Sequence, residues 1–272
     1  MNNTNQKTLK NFIQINGTGL FSKDEVNVSI SNAKNKDGIV FVLNNQKIPA
    51  KIDNVSNVTR NTVLASGSES LCLVEHFLAT CSLFGLNDIE VHTNKNELIF
   101  GDGSARHWCE LFKESGLGNK IEPKYELKEP ILLKDGDKVI AALPHDGFKV
   151  SYFMDWNHPA LGKLYASWNR NENPEMILNA RSFATKEEND FFGVTDRLLT
   201  LTKDGFNKKL HNPLEPVYHK ILDIIGDLRL IGINPLEINM HVFGYKSGHA
   251  LNVEMAKNLA GEDNYPRLQL LM

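Results

Sequence analysis

His219, Asp223 and Asp227 recur every four positions within Glu215-Pro216-Val217-Tyr218-His219-Lys220-Ile221-Leu222-Asp223-Ile224-Ile225-Gly226-Asp227-Leu228. On a helix they stack as one stripe of a surface that is otherwise strongly apolar. Pro216 suits the first turn of that helix, where no intrahelical donor is lost. A buried imidazole and carboxylate at this spacing must be satisfied. One solution is mutual hydrogen bonding on a partly wet face. The other is a metal ion, since zinc takes His nitrogen and carboxylate oxygen from neighbouring turns of one helix.

An internal repeat weighs on that choice. Val74-Glu75-His76 and Val217-Tyr218-His219 are 143 residues apart, as are Phe100-Gly101 and Phe243-Gly244, Ser104 and Ser247, and Gly118 and Gly261. Between these anchors Gly85-Leu86-Asn87-Asp88-Ile89-Glu90-Val91 matches Gly232-Ile233-Asn234-Pro235-Leu236-Glu237-Ile238. An ordered series of matches implies duplication, and it makes His76 the counterpart of His219 and a candidate third ligand. Three protein ligands and one open position is the catalytic form of a zinc site. Glu75, beside His76, could act as general base on water held there; taken alone it is a solvated first-turn acid that suits the helix dipole. His249, in Lys246-Ser247-Gly248-His249-Ala250-Leu251-Asn252, sits among small residues at a strand-to-helix turn. That setting would expose its imidazole and leave backbone N–H groups free for an anion, although a loop histidine is more often an ordinary surface residue.

The elements that position these residues follow from periodicity. Strands are expected at Val26 to Ile30, Gly38 to Leu43, Ile89 to Val91 and Glu97 to Phe100, and again at Ile238, where Ile238, Met240 and Val242 alternate with polar residues. Helices are expected from near Val74, with Val74, Leu78 and Cys81 on one face, from Ala105 to Glu114, and after residue 252. A polar, Gly/Pro-punctuated stretch from Gly116 to Pro123 sets a boundary near residue 122. The expected class is α+β: two similar α/β sandwich halves, residues 1–122 and 123–272, packed face to face with the active site between them.

With 272 residues, 41% of them hydrophobic, the chain can bury a large core without metal or disulfide staples. A net charge of −3, balanced along the chain, gives no basic field for nucleic acid. Cys72, Cys81 and Cys109 form no CxxC pair and read as reduced core residues. The N-terminal segment lacks the apolar run of a secretory signal, and no run reaches the ~18 residues that span a bilayer. The expected compartment is the cytoplasm, and the expected state a monomer.

The motifs together resemble the zinc-dependent UDP-3-O-acyl-N-acetylglucosamine deacetylases of lipid A biosynthesis over nearly the whole chain. They occur in the family's order: Thr8-Leu9-Lys10-Asn11, Gly17-Thr18-Gly19-Leu20, Val74-Glu75-His76, Asp102-Gly103-Ser104-Ala105, Gly147-Phe148-Lys149, Asn157-His158-Pro159, Ala180-Arg181-Ser182-Phe183, His219-Lys220-Ile221-Leu222-Asp223 with Gly226-Asp227-Leu228, and Lys246 to Asn252. The resemblance implies that His76, His219 and Asp223 bind one Zn2+, although His and carboxylate also suit Fe2+. It implies Glu75 as general base, His249 as proton donor or oxyanion stabiliser, and Asp227 as the group that orients its ring. Lys220 and Lys246 would face the substrate and its diphosphate. Ser182 stands where the family usually has Thr and keeps the hydroxyl that stabilises the oxyanion; Trp156 replaces the Phe near uracil, with Phe183 among the substrate contacts.

The implied substrate is a UDP-sugar lipid, and the implied reaction hydrolysis of its 2-acetamido group to acetate and a free amine. Two departures stand out. Phe21 occupies a position where the family commonly has His. The segment near 184–214 is short and different, with Ala184-Thr185-Lys186-Glu187 in place of a Gly-Phe continuation. Because this insert forms the acyl passage in the family, acyl length and even acylation stay open. The alternatives are a zinc amidase of the same fold acting on a different N-acetylated sugar or small amide, and a noncatalytic UDP-sugar or lipid-binding relative, whose mark would be a lost ligand or base.

Overall fold

The computed structural model describes residues 9, 12–115, 117, 121–194, 197–261 and 267–271. Thr8, Lys10, Asn11 and the repeat partner Gly118 lie outside the described residues, as do Gly116, Asn119 and Lys120 of the boundary stretch.

The first half contains β1 (Ile13–Thr18), β2 (Glu25–Asn32), β3 (Ile39–Leu43), β4 (Gln46–Pro49), β5 (Val55–Asn57), β6 (Val63–Ser66), β7 (Glu69–Leu71), α1 (Glu75–Phe84), β8 (Ile89–Thr93) and α2 (Arg106–Glu114). In β2, Val26, Val28 and Ile30 point inward between exposed or half-buried neighbours, the period of a half-buried strand. Asn44 and Asn45, both at positive φ (50° and 66°), make the two-residue hairpin between β3 and β4. The main sheet runs β1-β2-β8-β3-β4, with β3 and β8 parallel and the other pairs antiparallel; β5-β6-β7 is a small separate sheet.

The second half contains β9 (Tyr125–Leu127), β10 (Ile131–Asp135), β11 (Lys138–Pro144), β12 (Phe148–Asp155), β13 (Lys163–Asn169), α3 (Glu175–Leu178), β14 (Phe183–Thr185), α4 (Lys186–Phe191), β15 (Leu199–Thr202), β16 (Gly205–Phe206), α5 (Glu215–Leu228), β17 (Ile238–Tyr245), α6 (His249–Ala260) and β18 (Leu268–Leu270). Its main path is β10-β11-β17-β12-β13, with β12 and β17 parallel. Strand for strand this path has the order of the first sheet, and its parallel pair falls at the same place; off the path, β9 also pairs with β17 in parallel and with β18 antiparallel. The fold is α+β: α1 and α5 pack on each other, Phe77 of α1 meets Phe41 of β3, and α5 lies on β12 and β13. One continuous apolar core joins both sheets through these helices.

The expected strand at 97–100 does not form. Glu97 makes only an isolated bridge to Cys72, and Phe100 reaches Thr18 through a single backbone bond, so no ladder exists to extend. Residues 184–206, which carry no clear period, fold as β14-β15-β16 with α4 between β14 and β15; α4 is started by a capping box of Thr185 and Glu188.

Candidate active site

α5 carries His219, Asp223 and Asp227 on its buried stripe, at 6%, 1% and 0% exposure. α1 begins at Glu75, so Glu75 and His76 enter from the facing half. The two helices come very close at Gly226: a Cβ there would lie 2.1 Å from the Glu75 carbonyl oxygen. Only glycine permits this crossing, and the crossing sets Glu75 and His76 beside the α5 stripe.

Donor atoms of His76, His219 and Asp223 all lie within 4.8 Å of one another. The Asp223 Oδ1 atom is 3.5 Å from His76 Nε2 and 3.4 Å from His219 Nε2. Ligand bonds of ~2.0–2.2 Å around a tetrahedral ion separate its donors by roughly 3.3–3.6 Å, so the observed edges fit zinc. His76 Nε2 and Asp223 Oδ1 are buried without a hydrogen-bond partner, as befits atoms waiting on a cation. Burial holds His219 well below the ordinary imidazole range, hence neutral. Burial would raise Asp223, but the neighbouring histidines and Lys220 outweigh it and hold the carboxyl well below its usual range. Lys220 Nζ donates to Asp223 Oδ2 at 2.6 Å, leaving Oδ1 turned toward the histidines.

His249 is the first residue of α6 and is buried at 7% exposure, which corrects the expectation of an exposed loop imidazole. The reason is long-range. Its Nδ1 lies 2.8 Å from Asp227 Oδ2, and that same oxygen accepts from Asn252 Nδ2 at 3.0 Å. Burial opposes the charge on His249, yet Asp227 and Asp223 raise its pKa to about 9, so the imidazolium form persists at neutral pH. Glu75 is also buried, not solvated as its position alone suggests. Burial pushes its carboxyl upward, and its Oε2 accepts the Thr62 N–H at 3.1 Å.

Thr62 was not legible in the sequence. Fully buried in the loop between β5 and β6, it donates its hydroxyl to Asp227 Oδ1 at 2.6 Å while its amide holds Glu75. A lone threonine between Asn61 and Val63 carries no local signal; only the tertiary fold brings it to the site.

Glu75, His219, Lys220 and His249 line one cleft of about 530 Å³. Ser182 is on its wall, with the hydroxyl donated to the Gly103 carbonyl at 3.1 Å. Gly103 also accepts the Ser182 N–H, so the Asp102-Gly103-Ser104 turn tethers the 180–183 segment. Arg181 anchors that segment to α5, with Nε 2.7 Å from Glu215 Oε1. Phe183 packs edge-on against His219 at 5.8 Å and against Trp156 at 5.5 Å, forming an aromatic wall. Lys246, at φ 53°, lines the cleft from the β17–α6 turn and pairs with Asp137. His158 closes the turn after β12 by bonding the Thr202 carbonyl. Part of the cleft wall is apolar, where Leu20, Phe100, Val194 and Leu198 form a small cluster apart from the main core.

A convergent His/His/Asp set, an adjacent buried carboxylate and a carboxylate-held imidazole around one cleft have the parts of a hydrolytic centre. The family model of the UDP-3-O-acyl N-acetylglycosamine deacetylases matches residues 6–261. The chain is 30% identical to the UDP-3-O-acyl-N-acetylglucosamine deacetylase of Chlamydia trachomatis serovar L2, over 93% of this chain and 94% of that protein. It is 32% identical to the enzyme of that name from Pseudomonas entomophila (94% and 90% covered) and 30% identical to that of Nostoc sp. (95% and 99%). The chain belongs to this deacetylase family. No helix among the described residues is long and apolar enough to cross a membrane.

Proposed function

We propose that this chain removes the 2-acetyl group of a UDP-linked, 3-O-acylated N-acetylglucosamine, a step of lipid A biosynthesis, using one zinc ion held by His76, His219 and Asp223. The observation that carries the reading is the convergence of the three donors within 4.8 Å of one another, with Asp223 Oδ1 at tetrahedral-edge distance from both imidazoles. When bound there, zinc polarises the amide carbonyl and lowers the pKa of a water ligand toward ~7.

The rest of the chemistry falls to the chain. Glu75, held by the Thr62 amide, takes a proton from the attacking water. An amide nitrogen cannot leave as an anion, so it must be protonated. His249, charged at neutral pH, delivers that proton from Nε2, because Nδ1 is engaged by Asp227. Thr62 and Asn252 fix Asp227, which fixes the imidazole. Lys220 orients Asp223. The Ser182 hydroxyl, on turning from Gly103, supplies a donor to the oxygen that gains charge. Acetate and a free amine leave. Trp156 and Phe183 offer a flat apolar wall to the nucleoside end, Lys246 a cation to the diphosphate, and the apolar part of the cleft wall a place for the acyl chain, which favours this substrate over an unacylated amide.

The test combines metal analysis with acetate release. The purified protein should carry about one zinc per chain, and Glu75→Ala should abolish turnover on the 3-O-acylated UDP-sugar while retaining the metal. An active Glu75→Ala enzyme would sink the mechanism, and preference for the unacylated sugar would sink the substrate assignment.

A further inference from the structure

The two main sheets share a strand order but not an outer surface. In each, alternate residues are buried toward the paired helices, and those between them face the other way. On the first sheet the outward residues of β1, β2 and β8 are polar: Gln14, Asn16, Asn27, Ser29, Glu90 and His92. On the second sheet the equivalent face is apolar. Its register sets Val139, Tyr245, Phe153 and Tyr165 in one cross-strand row and Leu132, Ala141 and Phe243 in the next. Leu132 is 59% exposed, Tyr165 50% and Leu143 40%, with half-buried aromatic rings between them. The fold does not demand such a face, since the first sheet does without it, and a contiguous exposed apolar surface marks an interaction site.

Its charge is one-sided. Lys134, Lys149 and Lys163 share the outward register, on β10, β12 and β13, and none of them is held in an ion pair among the described residues. The one carboxylate at an outward position of these five strands, Asp155, accepts the Tyr245 hydroxyl at 2.9 Å. Exposed aromatic and leucine side chains among unpaired lysines suit the interfacial zone of an anionic bilayer. Rings and alkyl groups enter the boundary between headgroups and chains, while ammonium groups stay at the headgroup phosphates. The face also adjoins the cleft, because β17 and β12 lead directly into Lys246 and Trp156 of its wall.

We propose that the outward face of β10-β11-β17-β12-β13 is a docking surface for an anionic lipid bilayer, with its apolar rows at headgroup depth and Lys134, Lys149 and Lys163 on the lipid phosphates. Docking of this kind is separate from the chemistry in the cleft and does not depend on which amide is hydrolysed.

The test is sedimentation of the full chain with vesicles of phosphatidylcholine alone and of phosphatidylglycerol with phosphatidylethanolamine. A lysine near an anionic leaflet contributes about a fivefold factor, so three give roughly hundredfold tighter binding to the anionic vesicles at low salt, and less as salt rises. Lys134→Gln, Lys149→Gln and Lys163→Gln together should remove most of that preference. Leu132→Ser with Tyr165→Ser, at exposed positions that the fold does not need, should weaken binding to the anionic vesicles by on the order of tenfold. Lys47→Gln, on the equivalent face of the first sheet, should leave it unchanged. Absence of binding, equal binding to both vesicles, or a triple lysine variant that binds as the wild type does overturns the docking surface. A lipid-free dimer that Leu132→Ser with Tyr165→Ser dissociates overturns it as well, because the face would then belong to a second copy of the chain.

Discussion

Asp227→Asn separates the protonation of His249 from its position. In the native site Asp227 Oδ2 faces His249 Nδ1 and Asn252 Nδ2, and Oδ1 accepts from the Thr62 hydroxyl. An asparagine with its oxygen in the Oδ2 place keeps the first two bonds, and its amide faces Thr62, whose hydroxyl can rotate to accept. Geometry is retained while one carboxylate charge is lost. That charge is the foremost influence raising His249 to about 9 against burial, and an adjacent opposite charge is typically worth ~1–3 pKa units. As general acid His249 must be protonated, so activity is present below its pKa and lost as pH rises through it. With the wild-type limb at about 9, roughly nine-tenths of the enzyme is competent at pH 8; with the limb ~2 units lower, about a tenth is. The variant should therefore lose on the order of tenfold about one unit below the wild-type limb and much less about three units below it. A bound zinc ion would lower both limbs, which moves this window to lower pH and leaves the order of the two limbs unchanged. The assay is kcat/KM against pH for both proteins, with zinc content matched. A uniform loss at every pH, with the alkaline limb in place, would refute the assignment of His249 as the acid held charged by Asp227.

Gly226→Ala should push α1 from α5, because the new Cβ would sit 2.1 Å from the Glu75 carbonyl oxygen; the expected cost is ~1–3 kcal/mol in denaturant unfolding, with weaker zinc binding from the displaced His76. Glu215→Ala removes the acceptor of Arg181 Nε, Nη2 and N–H and of the His211 N–H, and stranding that buried arginine should cost ~3–5 kcal/mol. Burial raises Glu215, but Arg181 and the backbone donors outweigh it and hold its pKa low; its stabilisation is thus present above the unfolded value and lost as pH falls through the folded one. The wild-type advantage over Glu215→Ala should accordingly shrink in acid, and a gap independent of pH would contradict the pairing. Chelation should remove activity but not the fold, since the ligands stand on helices that belong to a continuous apolar core; a far-UV spectrum that collapses on chelation would show a structural metal instead.

What could be read in the sequence was what depends on short-range order. The two-residue periods of β2 and β17 match their buried faces; the strongly apolar α5 is buried nearly all round, and the four-residue spacing along it placed its imidazole and carboxylates together. The signals failed where a partner decides the outcome. Glu97 to Phe100 has strand composition, yet a strand exists only if a neighbour continues the ladder, and none does beyond Cys72. His249 has small neighbours that suggest exposure, but Asp227 of α5 and Thr62 of the β5–β6 loop enclose it from other elements, with Asn252 of its own helix bonded to Asp227. The 184–206 segment did carry one local sign, the capping box of Thr185 and Glu188, although its pairing with β15 is not local.

The offset that aligns His76 with His219 also places Thr80 opposite Asp223 and Phe84 opposite Asp227. Thr80 returns its hydroxyl to the His76 carbonyl, and Phe84 packs on Phe112 in the core. Each of the paired helices thus supplies one imidazole, while the one carboxylate within reach of both imidazoles, Asp223, comes from α5. That asymmetry suits a single dication. His76, His219 and Asp223 offer one negative charge to it, and a second set of acids from α1 would bury repelling carboxylates against Glu75, whose pKa burial already raises. The position before each histidine differs in the same sense: Glu75 is buried at the site, whereas its counterpart Tyr218 packs against the core. In the proposed mechanism α5 thus holds the anionic ligand Asp223 and the Asp227 partner of the acid, α1 the base Glu75, and α6 the acid His249.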